Sequence, residues 1–520
     1  MHGINNDSVN EPPLPQIEAL SLTPTGNSAG RSITVPDKEK KSSFQDLSSD
    51  TLSLIFRHLK LRDIRCLQKV CTRFRDLIKE DNALAKAWFR QFSSAHQNQL
   101  RMSITGKDNN QLRAWFESFT NDQALLKSLT DRQPTSVYSP ALLFFTRAEL
   151  MSQCKTFELV SKATISLKCK VYSADLSADG RYLVTANGDH TAKIYRQKAD
   201  GTWGKITSIT HNRLVKSAIF SPDSHHLLTA GADYTVKIVN REYDESWQPN
   251  TTISHDAGIQ SASFSTDSRH VLTACYDGTT QIHSRNDDDR SWQLTATLPL
   301  PDYIPVYSAF FSTDARHVVT ACDDKMAKIL SQRDDRLWEV EGVITHNAPV
   351  MSATFSVDGC YLVTASADGN AKICEKKADG SWEENSIIQH RKTVNSAVFS
   401  PDSRHVVTAS KDRTVKIYDR KADGFWEEKA TFSHKHSVES AYFSPDGRHL
   451  VTTPSYCKTA KIIGQQDDGS WSEKANIVHD DTISSATFSA DGSQVITTSL
   501  DGVVKITELR RNHLLSAVAE

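Results

Sequence analysis

Six histidines recur in register through the later part of the chain: His211, His255, His346, His390, His434 and His479. Five of them are followed 22 residues on by an aspartate, with a threonine between, as in His390, Thr408 and Asp412. Imidazole, hydroxyl and carboxylate at a fixed interval are groups that move protons or ligate metals, so on residue type alone the register suggests metal ligands. A second group is cationic. Arg391, Lys392, Lys411, Arg413, Lys435, His436 and Lys458, with Tyr456 among them, fall in short segments between apolar runs. Arg391 and Arg413 carry planar donors that can fork onto carboxylate or phosphate oxygens. Equivalent segments elsewhere carry Asp256, Asp302, Asp323, Asp480 and Asp481, so the charges are polarised along the chain. The bland alternative is a solvated loop surface. Motifs of single-centre catalysis are missing from the sequence: it has no GxxxxGK[ST], GxGxxG, GxSxG or HExxH run. The nine cysteines are scattered, odd in number and free of CxxC pairs. That excludes a disulfide framework or a zinc finger and predicts a reducing compartment.

The elements that must position these groups repeat. One aspartate recurs at 179, 223, 267, 314, 358, 402, 446 and 491, at intervals of 44, 44, 47, 44, 44, 44 and 45 residues. Within one interval, SAVFS, RHVVTAS, TVKIYD and the run after Phe425-Trp426 show period-two or β-branched character, separated by SPDS, KDR and KADG turns. Four strands per unit at this period are the pattern of a β-propeller, in which a blade buries its faces only against neighbours in a ring. Eight copies predict eight blades. The Trp-bearing fourth strand, however, occurs seven times, at Trp203, Trp247, Trp292, Trp338, Trp382, Trp426 and Trp471. The remaining one is expected at the front, in residues 157–165, paired with the final VVKIT run so that the ring closes without an exposed edge.

Copy six, HRKTVNSAVFSPDSRHVVTASKDRTVKIYD, resembles a WD40 repeat. The likeness spans about 350 residues and recurs in every copy. The naming Trp is replaced by Tyr195, Val239, His283, Leu330, Cys374, Tyr418, Ile463 and Thr507, and the Gly before the His is absent. The resemblance implies that His, Thr and Asp form a buried hydrogen-bonded network within each blade rather than a metal site. Leaving such groups unpaired costs about 1 to 3 kcal/mol each. Copy seven breaks the pattern, because its turn reads TTPSYCKTAKI, with one extra residue and no Asp, and that blade is expected to be weaker or specialised. In a propeller the d-to-a and b-to-c loops share one face, so Arg391, Lys392, Lys411, Arg413, Lys435, His436, Tyr456 and Lys458 are the expected substrate-binding residues, suited to an acidic or phosphorylated peptide.

The N-terminal part reads differently. Residues 1–42 are rich in Pro, Ser, Asn and Thr without apolar periodicity and are expected to be a disordered tail. In 43–90, Leu52, Ile55, Phe56 and Leu59 fall at helical spacing, Ile64 and Leu67 continue the pattern, and Cys71, Phe74, Leu77 and Ile78 make a third amphipathic stretch. So small a module completes its burial against a partner. Residues 91–154 predict a helical linker through QLRAWFESF, QALLKSL and SPALLFFTRAELMSQC; 155–510 form the propeller and 511–520 a C-terminal tail. The 43–90 run resembles an F-box, on Leu47, Leu52, Ile55, Phe56, Leu59, Asp63-Ile64, Val70-Cys71-x-x-Phe74 and Trp88, although the family's Pro after the leading Leu is Ser48 here. Leu47, Leu52, Ile55, Phe56, Leu59, Ile64 and Val70 are accordingly the expected adaptor-binding residues. A generic three-helix bundle or a helix-turn-helix DNA reader are the competing readings, and the latter lacks a basic footprint.

The expected fold is therefore mainly β: an eight-bladed WD40-like propeller preceded by an α-helical F-box and spacer. The combination resembles the substrate receptors of SCF-type ubiquitin ligases. It implies a Skp-type adaptor and a cullin as partners, a protein substrate, no catalysis in this chain and no cofactor. A non-degradative propeller scaffold, or a microbial effector imitating host F-box proteins, are the alternatives. Lys and Arg number 61 against 63 Asp and Glu, a formal charge of −2, so there is no global positive field for nucleic acid or an anionic membrane. With 38% hydrophobic and 24% charged residues in 520, the chain can bury a sizeable core, and no run of about 18 apolar residues could span a bilayer. The start has no basic n-region followed by an apolar run, so a cytoplasmic or nucleocytoplasmic location is expected.

Overall fold

The computed structural model describes residues 82–120 apart from 106 and 108, residues 140–511 apart from 302 and 334–336, and the single helical residues Leu52, Ile64, Leu77 and Lys79. The chain divides into two compact units, Met1–Leu52 and Ser53–Glu520. The expected tail 1–42, the QALLKSL helix, residues 512–520 and the candidates Leu47, Ile55, Phe56, Leu59 and Val70 lie outside the described residues.

Residues 157–511 fold into eight four-stranded antiparallel sheets. Seven are consecutive meanders, a to d from the inner to the outer strand. The eighth takes its outer strand from the front of the domain: Phe157–Ser166 pairs antiparallel with Val503–Arg511, from Phe157 opposite Arg511 to Ser166 opposite Val503. The closure expected from the strand count is thus present, one residue longer than read from the pattern.

Strand b is sandwiched between a and c within its sheet and between neighbouring blades. In blade six it is His405–Ser410, every residue buried, which is why it reads Val-Val-Thr-Ala with little charge. The tryptophan opening each outer strand then seals blade to blade. Trp426 stands edge-on to Tyr361 at 5.8 Å and to Phe399 at 5.7 Å, the first from blade five and the second from blade six. Trp247 meets Tyr182 edge-on and Phe220 at a tilt, each at 5.4 Å. In the closing blade Phe157 takes this place, 5.1 Å from the ring of His449. Such pairs add about 0.5–1.5 kcal/mol each beyond their buried area. Every inner strand also carries a register shift near its start, as between Val394 and Ser396, which re-aims the first residues toward the loop face.

Helix α1 (Ala83–Phe89) lies at the end of the 43–90 segment, and the spacer contributes α2 (Ser94–Thr105), α3 (Asn109–Glu117) and α4 (Pro140–Ser152). Helices α3 and α4 were legible from their apolar spacing. Helix α2 was not, because it buries only Leu100, Ser103 and Ile104. Aromatic contacts join the spacer, Trp88 to Phe145 at 6.0 Å and Trp115 to Phe144 at 5.4 Å. It docks on the a-to-b turns of blades seven and eight and on the c-to-d turn of blade seven. Arg147, 2% exposed, donates from Nη2 to the Gly492 carbonyl at 2.7 Å and sets Nη1 3.7 Å from Asp446. Lys107 pairs with Asp491 at 2.9 Å, Arg448 with Glu149 at 2.7 Å, and Ser152 Oγ donates to Asp467 at 2.6 Å.

Candidate interaction face

The loops d-to-a and b-to-c leave the opposite ends of the strands from those the spacer grips, and the network residues fix them. In blade six His390 Nε2 meets Thr408 Oγ1 at 2.8 Å and Nδ1 meets Asp412 Oδ2 at 3.0 Å. The same Oδ2 accepts the Arg391 N–H at 3.0 Å, while Oδ1 accepts the Thr414 N–H at 2.9 Å and its hydroxyl at 2.6 Å. One carboxylate therefore ties the loop carrying Arg391 and Lys392 to the turn carrying Lys411 and Arg413. Burial pushes the Asp412 carboxyl up, but the donors of Thr414 and Arg391 and the neighbouring His390 outweigh it, leaving it well below the usual carboxylate range. Burial lowers the His390 pKa against the opposing pull of Asp412. In blade two the same balance brings Asp233 down to about 2.

Metal ligation fits these groups poorly. The one trio of ligand types brought together among the described residues is His255, Cys275 and Asp277 in blade three, whose ligand atoms lie within 4.8 Å of one another. Both imidazole nitrogens already face hydroxyls, Thr279 Oγ1 and Thr273 Oγ1, each at 2.9 Å, and burial pushes the Cys275 thiol up, away from the thiolate a metal needs. Five of the six repeated histidines, all but His434, are instead bonded to a threonine of their own blade.

All eight predicted substrate-face residues, Arg391, Lys392, Lys411, Arg413, Lys435, His436, Tyr456 and Lys458, are exposed, Tyr456 at 84%. Backbone hydrogen bonds make them one arc. Loop 390–393 joins turn 411–413 through Asp412; the His434 N–H donates to the Arg413 carbonyl at 2.8 Å; the Ser455 N–H donates to the Ser437 carbonyl at 2.7 Å. The arc runs on into acid, where the His479 N–H donates to the Lys458 carbonyl at 2.8 Å, ahead of exposed Asp480 and Asp481. Asp256 is exposed on the same face, whereas Asp323 is half-buried and accepts the Tyr307 hydroxyl at 2.6 Å; Asp302 lies outside the described residues. Of the adaptor candidates, Leu52 and Ile64 are fully buried helical residues.

Pattern reading missed the cations of the spacer. The recurring aspartate served it only as an alignment mark, yet Asp446 and Asp491 are where Arg147 and Lys107 bind. Nothing in the local spacing of Lys107 or Arg147 distinguishes them from solvated charges; their role appears only when blades seven and eight are beside them.

The geometry defines a protein of the propeller class, with a loop face polarised in charge. The family model for the WD domain, G-beta repeat, matches residues 161–196, 203–240, 247–284, 338–375, 382–419, 426–463 and 473–507, half of the chain, and the F-box domain model matches 44–85. The chain belongs to the F-box/WD40-repeat proteins. The span passed over between 284 and 338 overlaps the 47-residue interval from Asp267 to Asp314 and holds no histidine in register. Among solved structures, Sqt1 from Chaetomium thermophilum bound to the N-terminus of the ribosomal protein L10 is 14% identical, with a TM-score of 0.58 over 68% of this chain and 100% of that one. Sqt1 of Saccharomyces cerevisiae gives 15%, 0.56, 69% and 100%, and the C-terminal WD40 domain of Sif2 gives 14%, 0.56, 67% and 98%. At these identities the likeness is one of fold. No curated protein sequence matches the chain. An F-box joined to a WD40 propeller makes this a protein-interaction chain.

Proposed function

We propose that the chain is the substrate-recognition subunit of an SCF-type ubiquitin ligase. The F-box docks a Skp-type adaptor and through it a cullin, and the propeller holds a protein substrate by an acidic or phosphorylated segment on blades six and seven. The chain itself delivers rather than catalyses, and it works in the cytoplasm or shuttles between cytoplasm and nucleus. The observation that carries this reading is the division of labour between the two ends of the blades. The spacer that follows the F-box grips the a-to-b and c-to-d turns, leaving the polarised loop face exposed. Sqt1, of the same fold, is seen with a bound protein terminus, which supports a peptide-binding role for the propeller.

The test is adaptor binding. Burying one large apolar side chain is worth about 1.5 to 3 kcal/mol, so Ile55→Asp with Leu59→Asp should abolish complex formation with purified adaptor in size-exclusion chromatography while the propeller keeps its melting transition. Retained binding removes the basis for the F-box role and leaves a non-degradative scaffold.

A further inference from the structure

Blade seven departs from its neighbours at one place. In blades two, five, six and eight the network aspartate accepts the backbone N–H of the residue that follows the histidine. Asn212 donates to Asp233 at 2.7 Å, Asn347 to Asp368 at 2.9 Å, Arg391 to Asp412 at 3.0 Å and Asp480 to Asp501 at 3.2 Å. In blade seven the turn Ser455-Tyr456-Cys457-Lys458 is one residue longer and carries no acid, and Pro454 stands where blade six has Ser410. The consequences reach the core. His434 Nε2 and Thr452 Oγ1, partners by position in the other blades, are both buried without a hydrogen bond, and so is Ser437 Oγ. Thr452 is fully buried. Among the described residues nothing accepts the Lys435 N–H. Burial, helped by the nearby Lys461 and opposed by Glu473, lowers the His434 pKa to about 4.

Buried polar atoms without partners are expensive, and here they lie under a basic part of the loop face, framed by exposed Lys435, His436, Tyr456 and Lys458, with Glu439 accepting the Ser455 hydroxyl. A carboxylate is the group the Lys435 N–H fits, because in four other blades a carboxylate accepts the corresponding N–H; there it also faces the histidine Nδ1, while Nε2 faces the threonine. We infer that blade seven takes its network carboxylate from the partner: an aspartate or glutamate side chain of the bound protein enters between loop 434–437 and turn 455–458, accepts the Lys435 N–H and joins His434. The inference rests on the substrate-receptor reading above and adds the anchor point that reading lacks.

The experiment uses the full chain and a fluorescein-labelled octaglutamate peptide, with octaglutamine as control, in fluorescence anisotropy at low salt. The variant replaces Ser455–Lys458 by the Lys-Asp-Arg turn of blade six, which restores the internal carboxylate and leaves the net charge of the turn at +1. Wild type should bind octaglutamate and not octaglutamine. The swapped chain should bind it at least tenfold more weakly and melt at a higher temperature. An independent readout needs no variant: saturating peptide should raise the pKa of the His434 ring from about 4 in histidine-selective NMR. Equal affinity of the two chains, or a His434 titration that ignores bound peptide, overturns the inference while leaving a purely electrostatic rim. Absence of octaglutamate binding by wild type overturns it too, and the adaptor test then still decides the receptor reading separately.

Discussion

Arg147 is the residue whose loss should be felt most sharply between spacer and propeller. It is 2% exposed, its Nη2 serves the Gly492 carbonyl at 2.7 Å, and its Nη1 faces Asp446, itself only 6% exposed. Arg147→Met keeps the aliphatic bulk and removes the charge. Asp446 would then retain only His449 Nδ1 at 3.5 Å, the Ser444 hydroxyl and the Arg448 N–H at 3.1 Å. Breaking a buried pair from one side costs about 3–5 kcal/mol, because the remaining charge is uncompensated. That loss falls on docking of the spacer before it falls on the ring, whose strand ladders the substitution does not touch. At 1.4 kcal/mol per tenfold, the undocked population should rise by roughly two to three orders of magnitude. Limited proteolysis under conditions where opening is fast reads that population directly, as the rate of cleavage in residues 91–154. The double variant Arg147→Met, Asp446→Asn should be cut more slowly than Arg147→Met alone, since no stranded carboxylate remains. Wild-type cleavage rates in the single variant, or a double variant as fast as the sum of both losses, would refute the reasoning.

Ring closure predicts a difference between two truncations that both lack the spacer: a chain starting at residue 151 should fold and melt cooperatively, whereas one starting at 171 exposes an unpaired edge and should aggregate or melt far lower in calorimetry. Arg391→Glu, Arg413→Glu and Lys435→Glu together should weaken substrate capture at least tenfold in a pull-down, with raised salt weakening the wild type in parallel; unchanged capture places binding elsewhere on the propeller. His434 and His283 are both lowered to about 4 by burial, against an unfolded value of about 6.5. Across that window the unfolded chain binds more protons, so stability should fall as pH drops from 6.5 to 4, and His434→Gln with His283→Gln should flatten the melting-temperature profile there. A profile as steep in the variant as in the wild type would assign the acid sensitivity to other groups.

The ring was legible because its signals are periodic: one Asp per turn, one Trp per outer strand, alternating β-branched runs. Even the closing strand could be found by counting, since Phe157 sits where a Trp is due. The exposed arc from Arg391 to Lys458 followed from knowing which loops share a face. What stayed hidden depends on contacts between segments far apart in sequence. The tie of Arg147 to Asp446 spans some three hundred residues, and α2 owes its order to burial of few side chains rather than to an apolar stripe. The orphaned groups of blade seven lie between these cases. The missing Asp could be read, but the stranding of His434 and Thr452 needed the core around them.

The borrowed outer strand imposes a schedule on synthesis. Phe157–Ser166 is made before every other strand of the ring, yet its partner Val503–Arg511 is made after all of them. At about 5–20 residues per second the strand waits roughly 20 to 70 seconds for its place in the final sheet. Blades one to seven can form as they emerge, each resting on the one before, but the inner and outer edges at the seam stay unpaired until Val503–Arg511 has been made. For that interval the nascent chain is an open crescent with two unpaired edges, each able to pair with another chain. A premature stop that removed the last strand would leave seven finished blades without a closed ring.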